Sequence, residues 1–362
     1  MSPGTAQSAR RIAEEVVSEG HIPGMSFAVA GPQGVHADAL GHADVAQRRP
    51  AAVDDQYPWF SMSKIATATA AVRLHADGIL DLDAPIGTYL PGYQPHAQHG
   101  HPTTRNLLTH TAGLGNPLPI RWVRAEDRPE DPTLVDRIIA RHGTPRSSVG
   151  SRARYSNIGY LLAGRVMEAV TGRPVQVCVS EFVLAPLAMQ ATGYAYRSDL
   201  PRSVGYVRIP RPAVPALRWL LPAGIVGPRV DHLTSLRPFL VSGAAYGGLV
   251  GTVTDAVTLA AAHAAGASTA DAVDPVLPAT DLEAMHTITE PGKPFDHGIG
   301  WFRKPRDAQR SPAFVEHYGT GGGFWNAMRI YPDSQLAMVA MTNTTSAWDF
   351  DRLFTRLEAL SR

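Results

Sequence analysis

The 362 residues are 44% hydrophobic and 18% charged with a formal net charge of +1, the balance of an ordinary globular chain that can bury its own core without disulfide or metal staples. Scattered arginines at near-zero net charge leave no electrostatic footprint for nucleic acid. Cys178 is the only cysteine, which excludes an intramolecular disulfide and a thiolate metal cluster, and no stretch approaches about eighteen uninterrupted apolar residues, so no membrane span is expected.

The N-terminal stretch has helical patterning, predicting a first helix over residues 5–19. It lacks the apolar segment and small-residue cleavage site of a secretory leader, which predicts a cytoplasmic protein. Next, "MSFAVAG" reads as an apolar strand, and "VHADALGHADV" alternates as the second strand of a hairpin turned at "PQG". After Pro58 the spacing turns helical: "SKIATATAAVRLHADG" closes at Gly78, a C-cap candidate. Residues 156–190 predict two helices split at "TGRP". The first, "SNIGYLLAGRVMEAVTG", has Ser or Asn at its start and Gly172 past its end. Cys178 falls in the second as a small buried hydrophobe. The proline-dense "RIPRPAVPALRWLLPAGIVGPR" resists regular assignment.

A helix over "DAVTLAAAHAAG" follows, then strand patterns at "HGIGWFR", "FVEHYGTG", "NAMRIYP" and "LAMVAMTN", and a closing helix "WDFDRLFTRLEALSR". Strands at both ends with helices between them predict an α+β fold: a mostly antiparallel sheet built from both termini, packed against an inserted helical region. The expected organisation is one catalytic domain over 1–362. Its α/β part would take about residues 1–80 and 290–362, and a mainly helical part about residues 81–289.

The chain holds only three lysines, Lys64, Lys293 and Lys304. Lys64 follows Ser61 by three residues in "WFSMSKIAT", so the two would meet on one face of a first helical turn. A serine hydroxyl needs a base within reach, and a lysine serves as one only when burial or neighbouring charge lowers its pKa. Ser63 is a rival hydroxyl on another face of that turn. Two later motifs add weight. "RYSNIGY" holds the only Y-x-N, placing a phenol at Tyr155 and an amide at Asn157; a phenol near an ammonium shuttles protons, and an amide holds a carbonyl. "VEHYGTGGGF" holds the only H-x-G, at His317 and Gly319, where glycines let backbone approach a ligand. Each alone also fits a structural residue: a core tyrosine, a capping asparagine, an edge histidine.

S-x-x-K, Y-x-N and [KH]-x-G in that order resemble the serine β-lactamase and penicillin-binding-protein superfamily, in the branch of class C β-lactamases, D-Ala-D-Ala peptidases and β-lactamase-fold esterases. "IPGMSFAVAG", "LHADGILDLDAPIGTYLPGY", "NLLTHTAGL", "VLAPLAMQATGY", "YGGLVGTVTDA", "HGIGW" and "LAMVAMTN" are each similar to family segments, in order, over about residues 20–345. The resemblance implies a β-lactamase/transpeptidase-like fold. Ser61 would be the acylated nucleophile, Lys64 its proton partner and Tyr155 the general acid or base. Asn157 and His317 would orient substrate, Gly319 would let it lie along the strand, and the backbone N–H groups of Ser61 and Thr320 would form an oxyanion hole. No metal or organic cofactor is implied.

His317 stands where many relatives carry lysine, which removes a permanent cation for a substrate carboxylate. Val149 and Gly150 replace the family's usual proline and glycine. "ALRWLLPAGIVG" has no evident family counterpart; it reads either as packing or as an acyl pocket or lid of Trp219, Leu220 and Leu221. His110 fits a structural loop histidine, Asp81 and Asp83 fit turn residues, and the histidines of "HAQHGHP" fit a solvated loop.

The expected function is a serine hydrolase of ester or amide bonds with a small-molecule ester, amide or lactam substrate, foremost a carboxylesterase. The alternatives are a β-lactamase or D-amino-acid peptidase, a biosynthetic acyltransferase, and a non-catalytic penicillin-binding-like sensor. The oligomeric state is not legible.

Overall fold

Both ends of the chain enter a single antiparallel sheet. A computed structural model describes residues 2–265 and 276–361. Helix α1 (Pro3–Glu19), N-capped by the Ser2 hydroxyl, leads into the hairpin β1 (Gly24–Gly31) and β2 (Gly34–Asp44), followed by the short β3 (Arg49–Pro50). Then come helices α2 (Ser63–Ala76), α3 (Asn157–Thr171), α4 (Val214–Leu220) and α5 (Val253–Ala265). The chain returns through β4 (Asp296–His297), β5 (Phe302–Arg303), β6 (Val315–Gly321), β7 (Phe324–Tyr331) and β8 (Leu336–Thr342), and closes with α6 (Phe350–Ser361).

The eight strands lie in the order β4-β5-β6-β7-β8-β1-β2-β3. Strand β1 therefore pairs with the last strand, β8, from Met25↔Thr342 to Ala30↔Ala337. These two occupy the middle of the sheet, and β8 is buried along its whole length. Burial on both faces explains why "LAMVAMT" is a continuous apolar run without alternation. One face is covered by α1 and α6, whose Ala9, Ile12, Ala13 and Val16 meet Leu353, Phe354 and Leu357 at helical spacing. The other face carries α2 and α5. A single buried cluster runs from Ala28 and Val339 through α2 to Leu161 and Val166 of α3.

Most predicted elements form at the predicted places, including the Ser156 cap and the left-handed Gly172 that bound α3. Others differ. "HGIGWFR" is two strands of two residues each that pair with one another, because the chain turns back between His297 and Phe302. The proline-dense segment folds as α4 and a strand, Val226–Val230, in a three-stranded sheet with 205–207 and 233–236. Pro215 sits in the first turn of the helix and Pro228 in a strand with register irregularity, where a missing N–H is tolerated. The helix predicted over "DAVTLAAAHAAG" is described to Ala265; its Gly266 lies outside the described residues. No described helix is long and apolar enough to cross a membrane.

Candidate active site

Ser61 lies on a 3₁₀ turn, Phe60–Met62, that runs directly into α2. Phe60 adopts φ +47°, a left-handed conformation that an aromatic residue keeps only where its surroundings enforce it. Here they do. Asn326 Nδ2 of β7 donates to the Pro58 carbonyl at 2.8 Å, Trp59 N–H donates to the Leu249 carbonyl at 2.8 Å, and Leu249 N–H donates to Ser63 Oγ at 3.1 Å. Ser63, the rival hydroxyl, is thus buried and holds the turn in place.

Strand β6 presses its edge on the same turn. Its neighbour β5 pairs with it only at Glu316, so the edge beyond is open for this contact. A Cβ on Gly319 would lie 1.9 Å from the Trp59 carbonyl oxygen, and one on Gly321 would lie 2.1 Å from the Phe60 ring. Sequence reasoning assigns Gly319 to substrate clearance. The space its side chain would need is instead filled by Trp59, so this glycine brings the strand against the serine turn.

Lys64 is completely buried in α2, which is enclosed from Ser63 to Val72 between the sheet and the helical region. Its Nζ reaches Asn157 Oδ1 at 2.8 Å, the Tyr246 carbonyl at 2.7 Å and Ser61 Oγ at 3.2 Å. Burial pushes the ammonium pKa well below its ordinary value, since a charge loses its hydration in that site. A neutral amine has two N–H donors and one lone pair. In that form the two carbonyl-type acceptors would take both donors, which would leave the lone pair facing the Ser61 hydroxyl.

Tyr155 stands in the loop before α3, with its ring 5.0 Å from Lys64 Nζ and its hydroxyl hydrogen-bonded to Ser61. Burial raises the phenol above its ordinary value, opposed by the Ser61 bond, so it stays protonated through the neutral range. Three histidine rings gather around it. His110 lies 4.5 Å from the Tyr155 ring, and its Nδ1 accepts from Ser156 N–H at 3.0 Å. His297 lies 4.7 Å from His110, and His317 lies 6.2 Å from Tyr155. Burial, and then the nearness of other positive groups, holds His110 and His317 well below the ordinary imidazole value; burial holds His297 at about 4. His317 Nδ1 faces the Tyr318 carbonyl at 2.8 Å, which fixes the proton on Nδ1 in the neutral ring.

Ser61, Tyr155, Asn157 and Thr320 share the wall of a cavity of about 490 Å³. The rest of that wall is mainly apolar, with Leu118, Leu217, Leu220, Leu221 and Phe239 among its residues and no Asp, Glu, Lys or Arg. Hollows of about 580 and 770 Å³ exist on the helical side, but neither contains Ser61. Of the three residues of the predicted acyl pocket, Leu220 and Leu221 line the cavity. Trp219 does not: the turn of α4 points it outward at 76% exposure. Leu217, one turn before Leu221, takes the place expected for it.

The sequence reading missed His297, the Tyr246 carbonyl and Leu118. His297 had a signal, as the first residue of "HGIGW"; a backbone carbonyl and a loop leucine have none. Among the described residues no three His, Cys, Asp or Glu side chains converge as a metal would require.

Comparison with known proteins points the same way. The family model described as Beta-lactamase matches residues 9–360. Esterase EstB of Burkholderia gladioli is 33% identical over 168 residues, 43% of each chain, so the match covers less than half of that relative. The D-alanyl-D-alanine-carboxypeptidase/endopeptidase AmpH of Escherichia coli K12 is 25% identical over 293 residues, 78% of this chain and 70% of that one. Among solved structures, the D-amino acid amidase from Ochrobactrum anthropi SV3 with D-phenylalanine superposes with a TM-score of 0.77 at 23% identity, covering 99% of this chain and 100% of that one. At that identity the likeness concerns the fold.

Proposed function

The chain belongs to the beta-lactamase family, and from that membership we propose that it is a serine hydrolase of uncharged carboxylic esters, working through an acyl-enzyme on Ser61. The observation that carries this reading is the 3.2 Å contact between Ser61 Oγ and a buried Lys64 amine, in the wall of an apolar cavity.

In the first half-reaction the Ser61 proton passes to the lone pair of Lys64 as Oγ attacks the ester carbonyl. The oxyanion that forms is held by the backbone N–H groups of Ser61 and Thr320. The phenol of Tyr155 protonates the departing alkoxide, and the Lys64 proton replaces the one the phenol gives up. Alcohol leaves, and Ser61 carries the acyl group. Water then attacks the acyl-enzyme, the same pair takes its proton and passes it to Ser61 Oγ as the acyl–Oγ bond breaks, and the carboxylic acid leaves free Ser61. Asn157, whose Oδ1 is taken by Lys64, offers its Nδ2 to a substrate carbonyl.

Two features favour esters without a carboxylate. The cavity wall has no cation, and burial keeps His317 neutral where a charge would be needed to pair one. Similarity to an esterase supports the same choice. Purified protein incubated with p-nitrophenyl butyrate is expected to release p-nitrophenol and to gain one butyryl mass on the peptide containing Ser61. Equal rates for wild type and Ser61→Ala would overturn the hydrolase reading. Faster acylation by nitrocefin than by the ester would replace the ester with a lactam.

A further inference from the structure

The mouth of the Ser61 cavity carries an apolar rim that the reaction itself does not require. Leu118 is 79% exposed, Trp219 76% and Leu220 36%. Leu118 and Leu220 belong to the cavity wall, and Trp219, next to Leu220 in the chain, is exposed outside it. The Arg121 guanidinium lies 5.8 Å from the Trp219 ring centre and donates to the Trp219 carbonyl at 3.3 Å. Helix α4 as a whole has no buried residue. Exposed large apolar groups gathered at one opening mark a surface that meets a partner.

Charge identifies the partner. Residues 200–230 contain Arg202, Arg208, Arg211, Arg218 and Arg229 and no Asp or Glu, in a chain whose net charge is only +1. Among the described residues, only Arg202 of these five forms an ion pair, with Glu126. Arg121, against the Trp219 ring, and Arg218, the chain neighbour of Trp219, are exposed, as is Arg211 in the turn that precedes α4. An indole and leucines with exposed arginines on and next to α4 match the chemistry of an anionic lipid interface, where rings and alkyl groups enter the headgroup layer and arginines meet phosphate. A second copy of the chain would set arginines against arginines across a symmetric contact, which opposes self-association.

We infer that the rim of Leu118, Trp219 and Leu220 seats the protein on anionic lipid, so that an ester dissolved in the lipid enters the cavity without crossing water. The seating stands apart from the chemistry; only the delivery of an ester rests on the hydrolase reading. Because the cavity opens within the seated rim, its acyl substrate would be lipid-borne.

The test uses the full chain with vesicles of phosphatidylglycerol and, separately, of phosphatidylcholine. Co-sedimentation is expected with the anionic vesicles, weaker with the zwitterionic ones and weaker again in high salt, because ions screen the arginine contribution. Trp219→Ser with Arg218→Gln, both at exposed positions, is expected to lower the partition coefficient by roughly tenfold or more. The same variant should hydrolyse dissolved p-nitrophenyl acetate at the wild-type rate, which shows that it folds. Ser61→Ala should bind vesicles as wild type does, so loss of the hydrolase reading and loss of this one are separable. The inference is overturned by absence of vesicle binding, by equal binding of the double variant, or by a dimer that the double variant abolishes while vesicles are ignored.

Discussion

At the scale of single residues, the site is decided by which groups are kept neutral. Lys64 is driven toward the free amine by burial and Tyr155 toward the protonated phenol by the same cause. In the proposed mechanism these two neutral groups are the base and the acid. Removing the base with Lys64→Met should lower kcat/KM for p-nitrophenyl butyrate by roughly a hundred- to ten-thousand-fold, with KM changed little. The pH profile follows in sign. Activity should rise as pH climbs through the lowered Lys64 pKa and then stay level, with no descending limb below the ordinary phenol value of 10.0, because Tyr155 is displaced upward. A bell that turns down near neutrality would contradict this pairing.

At the scale of elements, what matters is how the serine turn is wedged between β6 and the Leu249 backbone. Gly319→Ala places a methyl where the Trp59 carbonyl now lies at 1.9 Å. Backbone cannot swing aside as a side chain does. Stability should fall by about 1–3 kcal/mol, and kcat/KM by about a hundredfold as the serine is displaced, read by denaturant unfolding and ester kinetics on the same sample. The cavity is the second such element. Its depth is set by α4 and the residues after it, so Leu221→Trp should shorten the preferred acyl chain. In a series of p-nitrophenyl esters the optimum should move toward acetate, with the acetate rate itself preserved.

For the whole molecule, the buried histidines link the site to global stability. His286 and His297 are held at about 4 by burial, and His110, His263 and His317 are also held well below their ordinary 6.5. The sign is set by which state binds more protons. An unfolded chain protonates these rings near their ordinary value while the folded one refuses them. Their contribution is complete above about pH 6.5 and is lost as pH falls below it, toward about 4 for His286 and His297, at up to about 1.4 kcal/mol per pH unit for each ring. Melting curves should show the midpoint dropping steeply across that window. His263→Asn, which removes one such ring from behind α2, should make the drop shallower. An unchanged slope would show that His263 titrates freely.

The sequence alone carried the element order, the α+β class and the motifs that mark Ser61, Lys64, Tyr155, Asn157 and His317 as candidates, because periodicity, caps and short motifs are local and survive without contacts. It carried the depressed charge at His317 as well, since replacing lysine by imidazole changes the chemistry wherever the residue sits. Three things awaited the fold. Gly319 reads the same whether its missing side chain makes room for a ligand or for Trp59, and only the packing of β6 on the turn distinguishes the two. Trp219 and Leu217 lie two residues apart on one apolar helix, and which of them faces the cavity depends on how α4 is rotated against its neighbours. The lowered pKa of Lys64 depends on complete enclosure of α2, and the acceptors that orient its Nζ come from residues 157 and 246. Burial and the meeting of distant segments are properties of the closed chain, and they decide whether an ammonium on a helix becomes a base.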